Sequence, residues 1–298
     1  MSVYRIHIRP KGGLAKPKIS FAYCLKENVL GLGWQTKSQN NGATWEEYES
    51  EASAIYGRSE LSRVRYLKNN LKKNDLIWTR DTDGNYYIGK VKSEWEYLSN
   101  KDAQDADIVN IVRCDLQKIP SIDEVPGKVI ACFRPSKTIQ SIKDKTAADY
   151  SRRLWNKLSG ENIYQSPDEP YRNIFSFLDS DETEDVIFIY LQVQGWIIVP
   201  NSRKADTMSY EFYAVNPETK EKAIVQVKTG KTPLTPMDWE KRSEKVFLFQ
   251  ASGKYNGMPS EKVTCLKPDE IESFMHLHKD ILPSNVSHWL DISANKKI

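Results

Sequence analysis

The sequence predicts a two-domain protein of mixed class: an amino-terminal β-barrel with inserted helices, then a carboxy-terminal α/β core. Three observations predict it. A chain of 298 residues is long for one core and gives each of two domains enough to bury. Short strand-like runs dominate to about residue 134, whereas beyond residue 166 helix-length stretches alternate with strands. Third, Ala223-Ile224-Val225-Gln226-Val227-Lys228-Thr229-Gly230 places an amide and an ammonium two apart inside an apolar strand.

In the first domain, residues 1–134, the expected strands are Tyr4 to Ile8, Phe21 to Leu25, Val29 to Trp34, Asp75 to Arg80, Tyr86 to Val91, Ile108 to Val112 and Val129 to Phe133. Two helices interrupt them. Thr44 to Tyr56 opens with Thr44 and Glu47 three residues on, the spacing of a capping box, and Ser59 to Leu71 opens with Ser59. Asp81-Thr82-Asp83-Gly84-Asn85 has turn composition and too few downstream oxygen ligands for a calcium loop.

Residues 135–165 read as a helical linker, and Ser166-Pro167-Asp168-Glu169-Pro170 marks entry to the second domain, 166–298. The stretch from Thr183 to Gly195 is long for a strand and reads as a helix with an acidic start and a glycine stop, followed by a strand over Trp196 to Pro200. Ser209 to Val215 alternates as a strand, and Asn216 to Glu221 is the turn that returns it into Ala223 to Gly230. A helix over Thr235 to Lys245, strands Val246 to Gln250 and Val263 to Leu266, and a helix opened by Pro268 complete the order. His276 and His278, two apart on that helix, face different directions and do not form a metal pair.

Side chains alternate along a strand, so Ile224, Gln226 and Lys228 share one face and Val225 and Val227 the other. The hairpin sets Glu211 beside Gln226 and Lys228. A carboxylate, an amide oxygen and a lysine held together are what metal-dependent phosphodiester hydrolysis uses: hard oxygens for a magnesium-type ion and a cation beside the attacking water or scissile phosphate. An ordinary solvent-facing hairpin would carry the same residue types, and the upstream helix tips the balance.

With Glu184 eleven residues before Gly195-Trp196, then Glu211, then Gln226-x-Lys228, the region from about 165 to 298 resembles the Mrr-like branch of the PD-(D/E)XK restriction endonuclease superfamily. The resemblance implies a restriction-endonuclease-like α/β core and a Mg²⁺-dependent endodeoxyribonuclease, Mn²⁺ substituting. It assigns Glu184, Glu211 and Gln226 to the metal and Lys228 to catalysis. Asp185 competes with Glu184, and Asp206 competes with Glu211 because the branch usually carries Asp at the central position.

Leu71-Lys72-Lys73-Asn74-Asp75-Leu76-Ile77-Trp78 followed by Tyr86-Tyr87-Ile88-Gly89-Lys90-Val91 is similar to the PUA-like superfamily, in particular its EVE and YTH relatives. That resemblance implies reading of RNA or of a modified DNA base between aromatic rings. The ring candidates are Trp34, Trp45, Trp78 and Trp95, with Tyr86 and Tyr87 behind them; Trp34 and Trp78 head the binding set, together with Arg203 and Lys204 beside the hairpin. The combined expectation is a modification-dependent restriction or antiphage nuclease. A non-catalytic nucleic-acid-binding protein with a degenerate nuclease fold, or an RNA-directed nuclease, stands as the alternative.

The net charge of +3 permits nucleic acid without announcing it. Cys24, Cys114, Cys132 and Cys265 are too far apart for a zinc knuckle or a disulfide frame and read as reduced thiols. No apolar run is long enough for a membrane span, and Met1 to His7 lacks a signal-peptide core, so a cytoplasmic protein with no membrane partner is expected. A homodimer is expected from mechanism, because double-strand cleavage by a single-site nuclease requires two protomers.

Overall fold

A computed structural model describes residues 1–10, 15–37, 41–165, 173–199 and 210–294. It is of mixed α/β class and divides into two compact units, Met1–Asp168 and Glu169–Ile298.

In the first unit a seven-stranded sheet curls into a half-barrel, with β1 (Val3–Ile6), β2 (Val29–Leu32), β3 (Leu76–Arg80), β4 (Tyr86–Val91), β5 (Glu96–Tyr97), β6 (Asn110–Lys118) and β7 (Ile139–Ser141) in the order β2-β6-β4-β3-β1-β7, and β5 also on β6. Only β1 and β3 pair in parallel. The curl comes from β6, whose residues 110–113 pair with β2 and 114–118 with β4. At Gly89 on β4 the Leu116 side chain of β6 packs close to the backbone, and a Cβ there would lie 2.8 Å from Leu116 Cδ2 and require that side chain to shift.

Helices α1 (Pro17–Glu27), α2 (Trp45–Tyr56), α3 (Ser62–Asn70), α4 (Lys101–Asp105), α5 (Gly127–Cys132) and α6 (Lys145–Ser159) accompany this sheet. The capping box of α2 is present: Glu47 N donates to Thr44 Oγ1 and Thr44 N to Glu47 Oε2 at 2.8 Å. Two expected strands are helices instead. Phe21 to Leu25 lies in α1, which Pro17 opens in its first turn and Asn28 closes in the left-handed region, burying Phe21 and Cys24. Val129 to Phe133 belongs to α5, opened after Pro126. In both, a local start signal outweighs a short apolar run.

The segment 135–165, expected as a linker, is an integral part of the first unit. Its strand β7 extends the sheet, the Trp78 indole donates to Ser151 Oγ on α6 at 2.9 Å, Lys90 Nζ meets Glu161 Oε2 at 2.6 Å, and the Tyr164 hydroxyl donates to the Asn74 carbonyl at 3.0 Å.

In the second unit a five-stranded sheet is ordered β12-β11-β10-β9-β8, from β8 (Ile197–Ile198), β9 (Phe212–Val215), β10 (Lys222–Lys228), β11 (Lys245–Gln250) and β12 (Val263–Leu266). Strands β8, β9 and β10 pair antiparallel; β10, β11 and β12 run parallel. The helix α7 (Ser180–Val193) is capped by Asp179 and Glu182, and Gly195 at φ +86° turns the chain after it. It covers one sheet face, where Phe188 meets Phe212 at 5.4 Å between ring centroids; Trp196 against Phe247 and Phe175 against Phe249 continue that layer. The opposite face carries Ile224, Val246, Leu248 and Val263 under Leu234, Trp239 and Tyr255. The helix expected over Thr235 to Lys245 is a single 3-10 turn, Pro236–Trp239. Backbone bonds from Leu234 N to Lys254 O and from Asn256 N to Leu234 O tie its start to the β11–β12 connection. Helices α8 (Pro268–Leu277) and α9 (Ser284–Ala294) follow, the Tyr190 hydroxyl on α7 donating to Glu270 on α8 at 2.6 Å.

All four cysteines are free thiols, and burial pushes Cys24 up to about 12. Among the described residues no helix is long and apolar enough to cross a membrane.

Candidate functional site

The hairpin β9–β10 holds the polar group that the motif specifies. Its register pairs Phe212 with Val225, and the bond from Glu211 N to Val225 O, 2.9 Å, continues the ladder and brings Glu211 alongside Gln226. Gln226 is buried at 5% exposure, between Glu211 on one side and Leu248 on the other. Its Nε2 donates to Glu211 Oε1 at 2.6 Å and to the Val227 carbonyl at 3.1 Å. Lys228 Nζ lies 3.9 Å from the same Oε1, and the lysine side chain is half-exposed where that of Glu211 is 16% exposed. The carboxylate is thus set at the rim of the sheet with a solvent-facing cation beside it.

Glu184 and Asp185 are half-buried on α7, whose layer covers the face opposite Gln226 and Lys228. The helix begins at Ser180, so Glu184 stands in its second turn and does not open it. It lies four residues before Phe188, on the stripe of α7 that meets Phe212, the neighbour of Glu211. Asp206, Arg203 and Lys204 lie outside the described residues. Among the described residues no group of three or more His, Cys, Asp or Glu side chains is gathered to hold a metal ion.

One residue of this unit escaped the sequence analysis. Gln250, beside Lys228 in the β10–β11 register, is fully buried. Its Nε2 donates to the carbonyls of Gly230 (2.6 Å) and Thr232 (3.2 Å), while its Oε1 accepts from Ser252 N, Ser252 Oγ and Lys254 N. Ala251 N donates to the Lys228 carbonyl at 2.9 Å. Gln250 therefore clamps the loop that follows Lys228 to the turn that follows β11. A terminal glutamine on an apolar strand gives no signal of this in sequence, because its partners are loop backbone.

In the first unit the ring candidates separate. Trp78 is 0% exposed with its indole N–H spent on Ser151, so it is core and lines no pocket, which corrects the expectation. Tyr86 and Tyr87 are also buried. Trp34, Trp45 and Trp95 are half-buried and pack against the rim of the core. Trp45 and Trp95 meet edge to face with centroids 5.1 Å apart, which leaves no room for a base between them, and Lys68 Nζ stands 5.2 Å from the Trp45 ring centroid. Trp34 holds a left-handed backbone at φ +65°, and its carbonyl accepts from the Tyr48 hydroxyl at 3.1 Å. Asn110, also unforeseen, organises this corner: its Oδ1 accepts from the Trp95 indole at 3.1 Å and its Nδ2 donates to Gly33 O and to the Tyr48 oxygen.

No protein-family model, curated protein or solved structure matches this chain.

Proposed function

We propose that the protein is a metal-dependent DNA endonuclease, with the β9–β10 hairpin as its cleavage site and the first unit as a sensor of a modified base, as in modification-dependent restriction or antiphage defence. The observation that supports it most is the convergence of Glu211, Gln226 and Lys228 on one spot, with Gln226 2.6 Å and Lys228 3.9 Å from Glu211 Oε1.

The donor set suits Mg²⁺, which uses one or two carboxylate oxygens and takes its remaining ligands from water and substrate phosphates. Glu211 and the Gln226 carbonyl would hold it. When bound, Mg²⁺ or Mn²⁺ supplies Lewis acidity to the phosphoryl oxygen and a water of lowered pKa. For Gln226 to offer its oxygen, the amide must rotate and give up its two present donor bonds. Lys228, solvent-facing at the rim, holds the attacking water or the scissile phosphate and offsets charge that builds on the phosphate. Trp34, at the half-buried rim near Trp45 and Trp95, is the ring this reading assigns to base stacking.

One observation favours a non-catalytic reading: Gln226 already satisfies Glu211 with its N–H, as in a purely structural polar pair. Titration with Mn²⁺ separates the two. The nuclease reading predicts one saturable class of sites lost in Glu211→Ala; the binding-only reading predicts none. A panel of duplexes, unmodified, cytosine-methylated, hydroxymethylated and glucosylated, tests the sensor, and competition by RNA of the same sequence tests an RNA-directed enzyme. Cleavage of all duplexes alike would remove the sensor assignment and leave the nuclease.

A further inference from the structure

Strands β10 and β11 run parallel, so both end at one edge of the second sheet, and Lys228 is the last residue of β10. Open α/β sheets bind ligands outside the carboxyl ends of their strands. The two loops that leave this edge, 229–234 and 251–256, are fastened to each other. The buried Gln250 amide donates to the Gly230 and Thr232 carbonyls and accepts from Ser252 and Lys254 N. Leu234 N donates to the Lys254 carbonyl at 3.1 Å, and Asn256 N donates to the Leu234 carbonyl at 2.9 Å.

This clamp decides which groups the first loop turns outward. The peptide is trans, so the Lys231 N–H points opposite to the Gly230 carbonyl and therefore away from Gln250. Among the described residues that N–H has no acceptor. A Cβ placed on Gly230 would meet nothing within 4 Å, so the space beside the loop is open. Lys228 is half-exposed, and Lys231 and Lys254 are exposed. Lys228 has Glu211 beside it, whereas among the described residues neither Lys231 nor Lys254 meets a carboxylate. The sequence keeps acids out of both loops, since no Asp or Glu occurs in 227–237 or in 245–260.

We propose that this edge is the track along which the DNA backbone lies, with Lys231 and Lys254 each neutralising a phosphate that flanks the one held by Lys228. The choice of occupant rests on the cleavage reading: the two loops continue directly from Lys228, and their charge is complementary to a row of phosphates. Such contacts fix the register of the duplex on the protein without reading its sequence. Gln250 makes the track stiff before substrate arrives, which lowers the ordering cost of binding. The contacts need no divalent ion, so they are measurable apart from cleavage.

The experiment measures binding of a short DNA duplex to the full chain in EDTA, by fluorescence anisotropy, as a function of NaCl concentration. Each neutralised phosphate contributes about 0.9 to the slope of log K against log salt concentration. The double variant Lys231→Ala, Lys254→Ala should lower that slope by about 1.8 and weaken binding about tenfold or more at about 0.1 M salt. Both side chains are exposed, so the variant keeps the fold. Lys262→Ala is the control: this exposed lysine precedes β12 at the opposite, amino end of the parallel strands, and its loss should leave the slope unchanged. A double variant with the wild-type slope, an equal drop in Lys262→Ala, or no duplex binding by wild type would overturn the track. Cleavage with Mg²⁺ on the same proteins keeps the two readings apart. Cutting that Lys228→Ala abolishes, with an unchanged slope in the double variant, leaves the cleavage site and removes the track; the expected drop in slope without any cutting by wild type leaves the track and removes the cleavage site.

Discussion

Gln226 and Gln250 in the second unit and Arg5 in the first are all buried polar side chains on strands, yet they are treated in opposite ways. The amides of both glutamines are engaged inside the protein, Gln226 through its Nε2 to Glu211 and Val227 and Gln250 through both its nitrogen and its oxygen to two loops. Arg5 finds carbonyls for one nitrogen only. A satisfied buried amide fixes the geometry of what surrounds it, whereas a buried cation with open donors depends on packing and on the ring it lies over. On this view the polar groups of the second unit hold Lys228 and Glu211 in place, whereas Arg5 is held by two carbonyls and the Phe133 ring.

The comparison is sharpened most by Gln250→Leu, which strips five hydrogen bonds from two loops without changing volume greatly. Denaturant unfolding should show a loss of about 4 kcal/mol, and amide exchange should speed up in residues 229–234. A variant as stable as wild type would mean that those loops are held by other contacts. The next effect is a pH dependence. Between its ordinary 6.5 and its folded value of about 4, His7 stays neutral in the folded protein while the unfolded chain takes up a proton. Stability therefore falls by about 3 kcal/mol as pH drops through that window and levels off below it. His7→Phe should flatten the profile.

Smaller effects belong to the hairpin. Glu211→Ala leaves Gln226 with one acceptor in place of two and should cost about 1 kcal/mol. Lys228→Ala, at a half-exposed position, should alter stability by no more than about 0.5 kcal/mol. A larger loss would show Lys228 to be part of the packing.

Much of the hairpin, and the start of α2, was legible in the sequence because the signals are local. The alternation of Ala223 to Lys228, the turn Asn216 to Glu221 and the Thr44–Glu47 box each involve neighbours within a few residues. The elements that misled were those where a short apolar run resembles either state: Phe21 to Leu25 and Val129 to Phe133 became helices because Pro17 and Pro126 start them. Trp78 could not be assigned without knowing that α6 returns across the sheet with Ser151. Arg5 and His7 alternate with Tyr4, Ile6 and Ile8, a pattern that assigns them to solvent. They are buried because Phe133 and the segment that leads from it into β7, more than 120 residues later in the chain, cover these side chains. Long-range covering of a polar strand face leaves no local trace.

The central claim is that Glu211, Gln226 and Lys228 form a hydrolytic site, and single-turnover cleavage of modified duplex DNA with Mg²⁺, wild type against Lys228→Ala, tests it most directly. The account predicts Mg²⁺-dependent cutting by wild type and none by the variant, with the fold and DNA binding of the two alike. Cutting by Lys228→Ala at the wild-type rate would contradict it.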